Sequence, residues 1–221
     1  VLLNPQAALL EFEIAALDAY VQRGGALLIL LDTTSTPTLV PFLEKYSVRL
    51  PPLIAVDPAK RLYAGEVTTF RVSATSRPHQ MISSVNAPPI VSLSRIVEVR
   101  EDPSKHIQAR PILATSSEGF ATAEHNIGRD GLAQFVEERD VRGPVPIAGE
   151  VTIRAGEKLG RIVVFGDVDF ANNALIEQGG NKDLLVNAIN WLAEDVEQMA
   201  ARPESQRTNV NQLFLSAEQG S

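Results

Sequence analysis

Residues 160–173 read GRIVVFGDVDFANN, and the fold turns on what this stretch does. Ile162, Val163, Val164 and Phe165 form an unbroken apolar run closed by Gly166, the composition of a strand buried on both faces. Asp167 and Asp169 follow, one residue apart, and then the pair Asn172 and Asn173. Two readings fit. Carboxylates just outside the C-terminal end of a parallel strand stand where open α/β sheets bind ligands, where they hold Mg²⁺ or act as acid–base pairs. Alternatively, Asp and Asn side chains bond nearby amides and close the turn into the next helix, with Phe170 packing it down.

The next strong segment downstream is NKDLLVNAINWLAED (181–195), whose Leu184, Leu185, Ala188, Trp191 and Leu192 recur at helical spacing. Trp191 on that stripe reads as core. Near the start of the chain, Leu10, Ile14, Leu17 and Val21 mark another helix, with Glu11 and Glu13 in its first turn, Arg23 in its last and Gly24-Gly25 to end it. ALLILLD (26–32) follows at once as a second doubly buried strand, ending on Asp32. Helix, short loop and buried strand make half of a doubly wound unit. If the two buried strands are neighbours, Asp32, Asp167 and Asp169 converge.

Between these anchors the signals are shorter. Thr36-Pro37 is a good N-cap and N1 pair for a helix running to about Tyr46. EVTTFRVSA (66–74) reads as a strand, and 79–101 as short β-like pieces broken by prolines. Residues 108–124 read as one strand and an open polar loop. Residues 124–142 form a polar surface excursion with a brief helical pattern at 132–136, leading into the strand PVPIAGEVTI (144–153).

Composition removes several function classes. The chain has 221 residues, 44% hydrophobic and 21% charged, without cysteine. That is enough for one large α/β domain or two small ones. Disulfides, thiolate metal sites and a cysteine nucleophile are excluded, while the compartment stays open. Net charge is −7 with no basic cluster, so nucleic acid is not an expected partner. His79, His106 and His125 lie far apart, without metal-ligand spacing. No nucleophile elbow occurs, and Ser116 with His125 pair on residue type alone. Gly24-Gly25 ends a helix rather than opening one, so it is no phosphate loop. The run at 26–31 is too short to span a bilayer, which takes about 20 residues. The opening Val1-Leu2-Leu3, with no initiator methionine and no signal peptide, reads as truncation ahead of residue 1.

The Asp-x-Asp spacing is similar to the haloacid-dehalogenase-type phosphatase motif, but that motif belongs on the first strand of its fold. No Thr or Val follows at the required place, and no later acidic pair completes a metal site. A metal-dependent hydrolase or phosphatase using Asp32, Asp167 and Asp169 is therefore the alternative reading.

The segments taken in order resemble another family. EIAALDAYVQRGGALLILLD (13–32) resembles the helix–Gly-Gly–strand of the GldG-like family, the auxiliary components of uncharacterised and gliding-motility ABC-type transport systems. GRIVVFGDVDFANN with GNKDLLVNAINWLAED (180–195) resembles that family's most specific signature. RPHQMISSV (77–85), with Gln80 where Pro is usual, ARPILATSSEGFATAE (109–124) and GPVPIAGEV (143–151) resemble its intervening elements. The resemblance implies a flavodoxin-like, class I glutamine-amidotransferase-like three-layer sandwich with a mostly parallel sheet. One α/β domain over 1–200 would be followed by a tail, 201–221, leading toward a transmembrane helix beyond it. It further implies an extracytoplasmic, non-catalytic domain of a membrane-anchored protein, with ABC membrane and ATPase subunits as partners. No cofactor or metal is expected. Asp32, Asp167, Asp169, Asn172 and Asn173 are the candidate ligand- or partner-binding residues at the carboxyl edge of the sheet.

Overall fold

A computed structural model describes residues 1–33, 38–62, 66–75 and 79–194. The expected cap at Thr36-Pro37 and the tail from 201 lie outside the described residues. In chain order the elements begin β1 (Leu2–Leu3), α1 (Glu11–Gln22), β2 (Ala26–Leu30), α2 (Leu39–Lys45), β3 (Val48–Arg49) and β4 (Ile54–Val56). β5 (Thr69–Arg71), β6 (Ser73–Ala74), α3 (Gln80–Ser83), β7 (Ile90–Ser92) and β8 (Glu98–Val99) follow. The second half holds β9 (Ile107–Ala114), β10 (Phe120–Thr122), β11 (Val141–Arg142), β12 (Pro146–Ala155), β13 (Lys158–Phe165) and α4 (Asn181–Ala193).

β2 is apolar without alternation because both its faces are covered. Leu28 and Leu30 pack with Val163 and Phe165 of β13 and with Leu184, Ala188 and Trp191 of α4. Leu27, Ile29 and Leu31 point the other way, onto Val21 of α1 and Leu39, Phe42 and Leu43 of α2. α1 starts where the Glu13 carboxylate accepts the Leu10 amide at 2.8 Å. It stops where Gly24 takes φ +89°, a conformation that costs a side-chain-bearing residue about 1 kcal/mol.

The main sheet runs β1-β2-β13-β12-β9-β6. β1, β2 and β13 are parallel, whereas the β13–β12, β12–β9 and β9–β6 pairings are antiparallel. The sheet is therefore mixed, which corrects the mostly parallel expectation. The cause is local. Ala155 pairs with Lys158, leaving the two-residue loop Gly156-Glu157, and Gly156 adopts φ +66°. So short a loop joins only antiparallel strands. The result is a mixed α/β fold with a mostly sheet core and few helices.

Three further corrections concern short elements. Residues 115–124 are not an open polar loop: Phe120, Ala121 and Thr122 are buried, and β10 pairs with β4 and β11. Residues 132–136 form no helix. That segment is pinned from its ends, where Phe135 meets Phe120 edge-on at 5.6 Å. Asp140 accepts from Thr122 Oγ1 at 2.7 Å, Val136 N at 2.8 Å and Arg139 Nε at 2.9 Å. The Arg139 guanidinium is the main cause holding the Asp140 carboxyl down at about 2. Finally, Gln80–Ser83 is helical, its first turn capped by His79, whose Nδ1 accepts from Met81 N at 3.1 Å.

Asn181, fully buried at the start of α4, ties that helix to the neighbouring strand. Its Oδ1 accepts the Ile90 amide at 2.7 Å, while its Nδ2 donates to the Ile90 and Leu175 carbonyls at 2.9 and 3.0 Å. Asn181→Ala strips buried partners from all three, so chemical denaturation should show a loss of about 2–4 kcal/mol. Asn181→Asp should also destabilise, because a carboxylate cannot donate to the two carbonyls.

Candidate functional site

The C-terminal ends of β2 and β13 lie side by side, Leu30 opposite Phe165. The chain leaves β13 through Gly166, which has to be glycine. A Cβ there would stand 2.1 Å from the Arg95 carbonyl oxygen, and the two backbones are drawn together by an Arg95 N to Gly166 O bond of 2.8 Å.

Asp167 is buried, and both of its oxygens are occupied. Oδ2 accepts the Ser92 amide at 2.9 Å and Oδ1 the Asp169 amide at 2.6 Å. The first bond clamps the end of β7 to the turn, and the second shapes the turn itself. Burial pushes the Asp167 carboxyl up to about 7, against the pull of those amides. The Asp169 carboxylate takes the Asn172 amide group at 3.1 Å. Asn172 in turn accepts from Ala174 N and Leu175 N at 2.8 and 3.1 Å. Asn173 is exposed. Phe170 is fully buried, its ring 5.0 Å from that of Phe165. Asp167 therefore fastens the end of β13 to β7, and Asp169 and Asn172 shape the turn that follows.

Asp32, at the end of β2, accepts from Thr33 N at 2.6 Å and from Asn4 Nδ2 at 3.4 Å, which holds the end of the edge strand β1. Among the described residues, no three His, Asp or Glu side chains stand where they could jointly hold a metal ion. Asp32, Asp167 and Asp169 thus share an edge without forming a metal cluster.

Residues that sequence reasoning passed over complete this edge. Arg95 is 4% exposed. Its Nη2 donates to the Leu50 carbonyl at 3.1 Å, while Nε and Nη1 find no hydrogen-bond partner among the described residues. Burial lowers the guanidinium pKa, and the negative charge of Asp32 acts the other way. Just before it, Leu93 is 41% exposed and adopts φ +51°, a left-handed conformation uncommon outside glycine. No local pattern in SLSRI (92–96) announces a buried arginine.

A second polar cluster lies farther along the α4 face of the sheet. Buried Glu150 accepts from Arg110 Nε at 2.7 Å. Arg161 lies 5.0 Å from the Trp191 ring and donates to the Trp191 carbonyl, and to that of Glu194 at 3.3 Å, capping the end of α4. His79 is 1% exposed, and its Nε2 stays 3.9 Å from Glu150 Oε1, beyond hydrogen-bond reach. Burial, helped by the Arg110 charge, drives the His79 pKa down to about 3. The imidazole is neutral at pH 7 and unsuited to general acid–base work there. Trp191 is buried, as its place on the helical stripe suggested. No helix among the described residues is long and apolar enough to cross a membrane.

A family model described as ABC-type uncharacterized transport system matches residues 1–188. Among solved structures, the chain is similar to the mmIFT52 N-terminal domain, with TM-score 0.58 and 14% identity over 87% of this chain and 76% of that one. It is also similar to a thua-like protein from Bacteroides uniformis ATCC 8492, with TM-score 0.49 and 16% identity over 89% and 69% of the two chains. The first likeness is one of fold alone. No curated protein matches the chain.

Proposed function

The chain belongs to the ABC-type uncharacterized transport system family, whose members are auxiliary components of such systems, and from that premise we propose that it is a non-catalytic binding domain. It sits on the extracytoplasmic side of a membrane-anchored protein, gliding-motility-like in kind, and that protein assembles with the ABC membrane and ATPase subunits. Its carboxyl edge meets a partner subunit, a surface polymer or a solute. Residues 1–200 act as one unit, and 201–221 lead toward the membrane.

The observation that carries this reading is the occupation of Asp167. Both oxygens of the most suggestive carboxylate are taken by backbone amides, which suits a fastening rather than a reactive group. The hydrolase alternative lacks the three-carboxylate convergence it needs.

Affinity capture of the full-length protein from detergent-solubilised membranes tests the proposal. ABC membrane and ATPase subunits should co-purify at near-equal amounts. Their absence, together with phosphoester turnover that Asp167→Asn abolishes, would overturn it.

A further inference from the structure

β2 and β13 are adjacent and parallel, yet the chain leaves them toward opposite faces. After β2 it forms α2, whose Leu39, Phe42 and Leu43 pack on the α1 side. After β13 it forms α4, whose Leu184, Ala188 and Trp191 pack on the other. Open α/β sheets bind ligands outside the carboxyl ends of neighbouring parallel strands whose connections diverge in this way.

Arg95 stands at that point. Its backbone is bonded to Gly166 at the end of β13, and its side chain feels the charge of Asp32 at the end of β2. A guanidinium carries five N–H donors and no acceptor. Among the described residues this one reaches a single carbonyl, that of Leu50, and leaves Nε and Nη1 without an acceptor although it is 4% exposed. A buried charge so poorly paired costs stability, and two-pronged oxyanion recognition is what a guanidinium fork does best.

We propose that the divergence point between β2 and β13 is an oxyanion-binding site, in which Arg95 takes the carboxylate or phosphate group of a solute or surface polymer and Asp32 competes for the same guanidinium. This deepens the binding role proposed above by naming the ligand chemistry.

The test is a titration of the ¹⁵N-labelled chain at constant ionic strength, with inorganic phosphate in one arm and succinate in the other. The Arg95 Nε–H resonance should shift saturably with at least one anion, and that anion should raise the melting temperature. Arg95→Met should abolish both responses and, relieved of an under-paired charge, melt no lower than wild type. Asp32→Asn should bind several-fold tighter. If the wild-type Arg95 resonance moves with neither anion beyond its response to matching sodium chloride, the site is refuted, whether or not Arg95→Met folds. Partner capture does not depend on this titration, so failure here leaves the capture result standing.

Discussion

Gly166→Ala is expected to prevent stable folding. The new methyl carbon would lie 2.1 Å from the Arg95 carbonyl oxygen and 3.1 Å from Arg95 Cγ. Its main obstacle is backbone, held on both sides. Arg95 N bonds Gly166 O, and Gly166 N bonds Ile147 O, each at 2.8 Å. Ordinary overpacking costs about 1–3 kcal/mol because side chains can shift. Here β13 must part from the 92–95 loop, so the loss should exceed that range and take much of a typical domain stability of about 5–15 kcal/mol. Gly156→Ala is the control. Nothing lies within 4 Å of the point its methyl carbon would occupy, but φ is +66°, so strain alone should cost about 1 kcal/mol. Urea melts of the two variants should differ widely. Similar midpoints would contradict the close approach at Gly166.

The second large effect is a pair of opposed pH dependences. Asp167 has its pKa raised from 3.8 to about 7. The folded chain holds this proton more tightly, so its stabilisation is complete below pH 3.8 and is lost as pH rises through 7. His79 is lowered from 6.5 to about 3. Its contribution is complete above pH 6.5 and is lost as pH falls toward 3, where the unfolded chain alone takes up the proton. Each amounts to roughly 4–5 kcal/mol at full extent. Across about pH 4 to 6.5 the two slopes oppose, so wild type should fall less steeply with pH than a variant without the histidine. Asp167→Asn should turn the slope upward relative to wild type, because the histidine is then opposed by buried Glu150 alone, whose pKa burial raises. His79→Gln should unmask the aspartate, giving stability that falls with pH, in the same sense as buried Glu150, whose pKa burial raises. Denaturation midpoints across that range check both slopes. The substitutions also remove native bonds, so the direction in which each slope moves from wild type is the readout rather than its offset.

The parts of the fold legible in the sequence are those whose order is local. α1 and α4 carry apolar residues at helical spacing, and β2 and β13 are runs covered on both faces. The antiparallel half escapes that reading although Ala155-Gly156-Glu157-Lys158 carries a hairpin signal, because PVPIAGEVTI reads by itself as a separate strand instead of the first arm of a hairpin. β3, β8 and β11 have two residues each and β10 three, too few for any periodicity to register. At the site, Asp and Asn chemistry points to the turn, and Asp167 closes it. Arg95, His79 and Glu150 stay silent, since burial of a charged or polar side chain depends on partners far away in sequence. For Arg95 those are Leu50 and Asp32, and for Glu150 it is Arg110.

The most direct test of the central claim, that the signature carboxylate fastens the fold and does not hold a metal, is a ¹³C NMR titration of the Asp167 carboxyl with and without millimolar Mg²⁺. The account predicts a midpoint near 7, unmoved by Mg²⁺, because both oxygens already accept backbone amides in a buried turn. A midpoint near the ordinary carboxylate value, or one driven down by Mg²⁺, would contradict it and return Asp167 to metal chemistry.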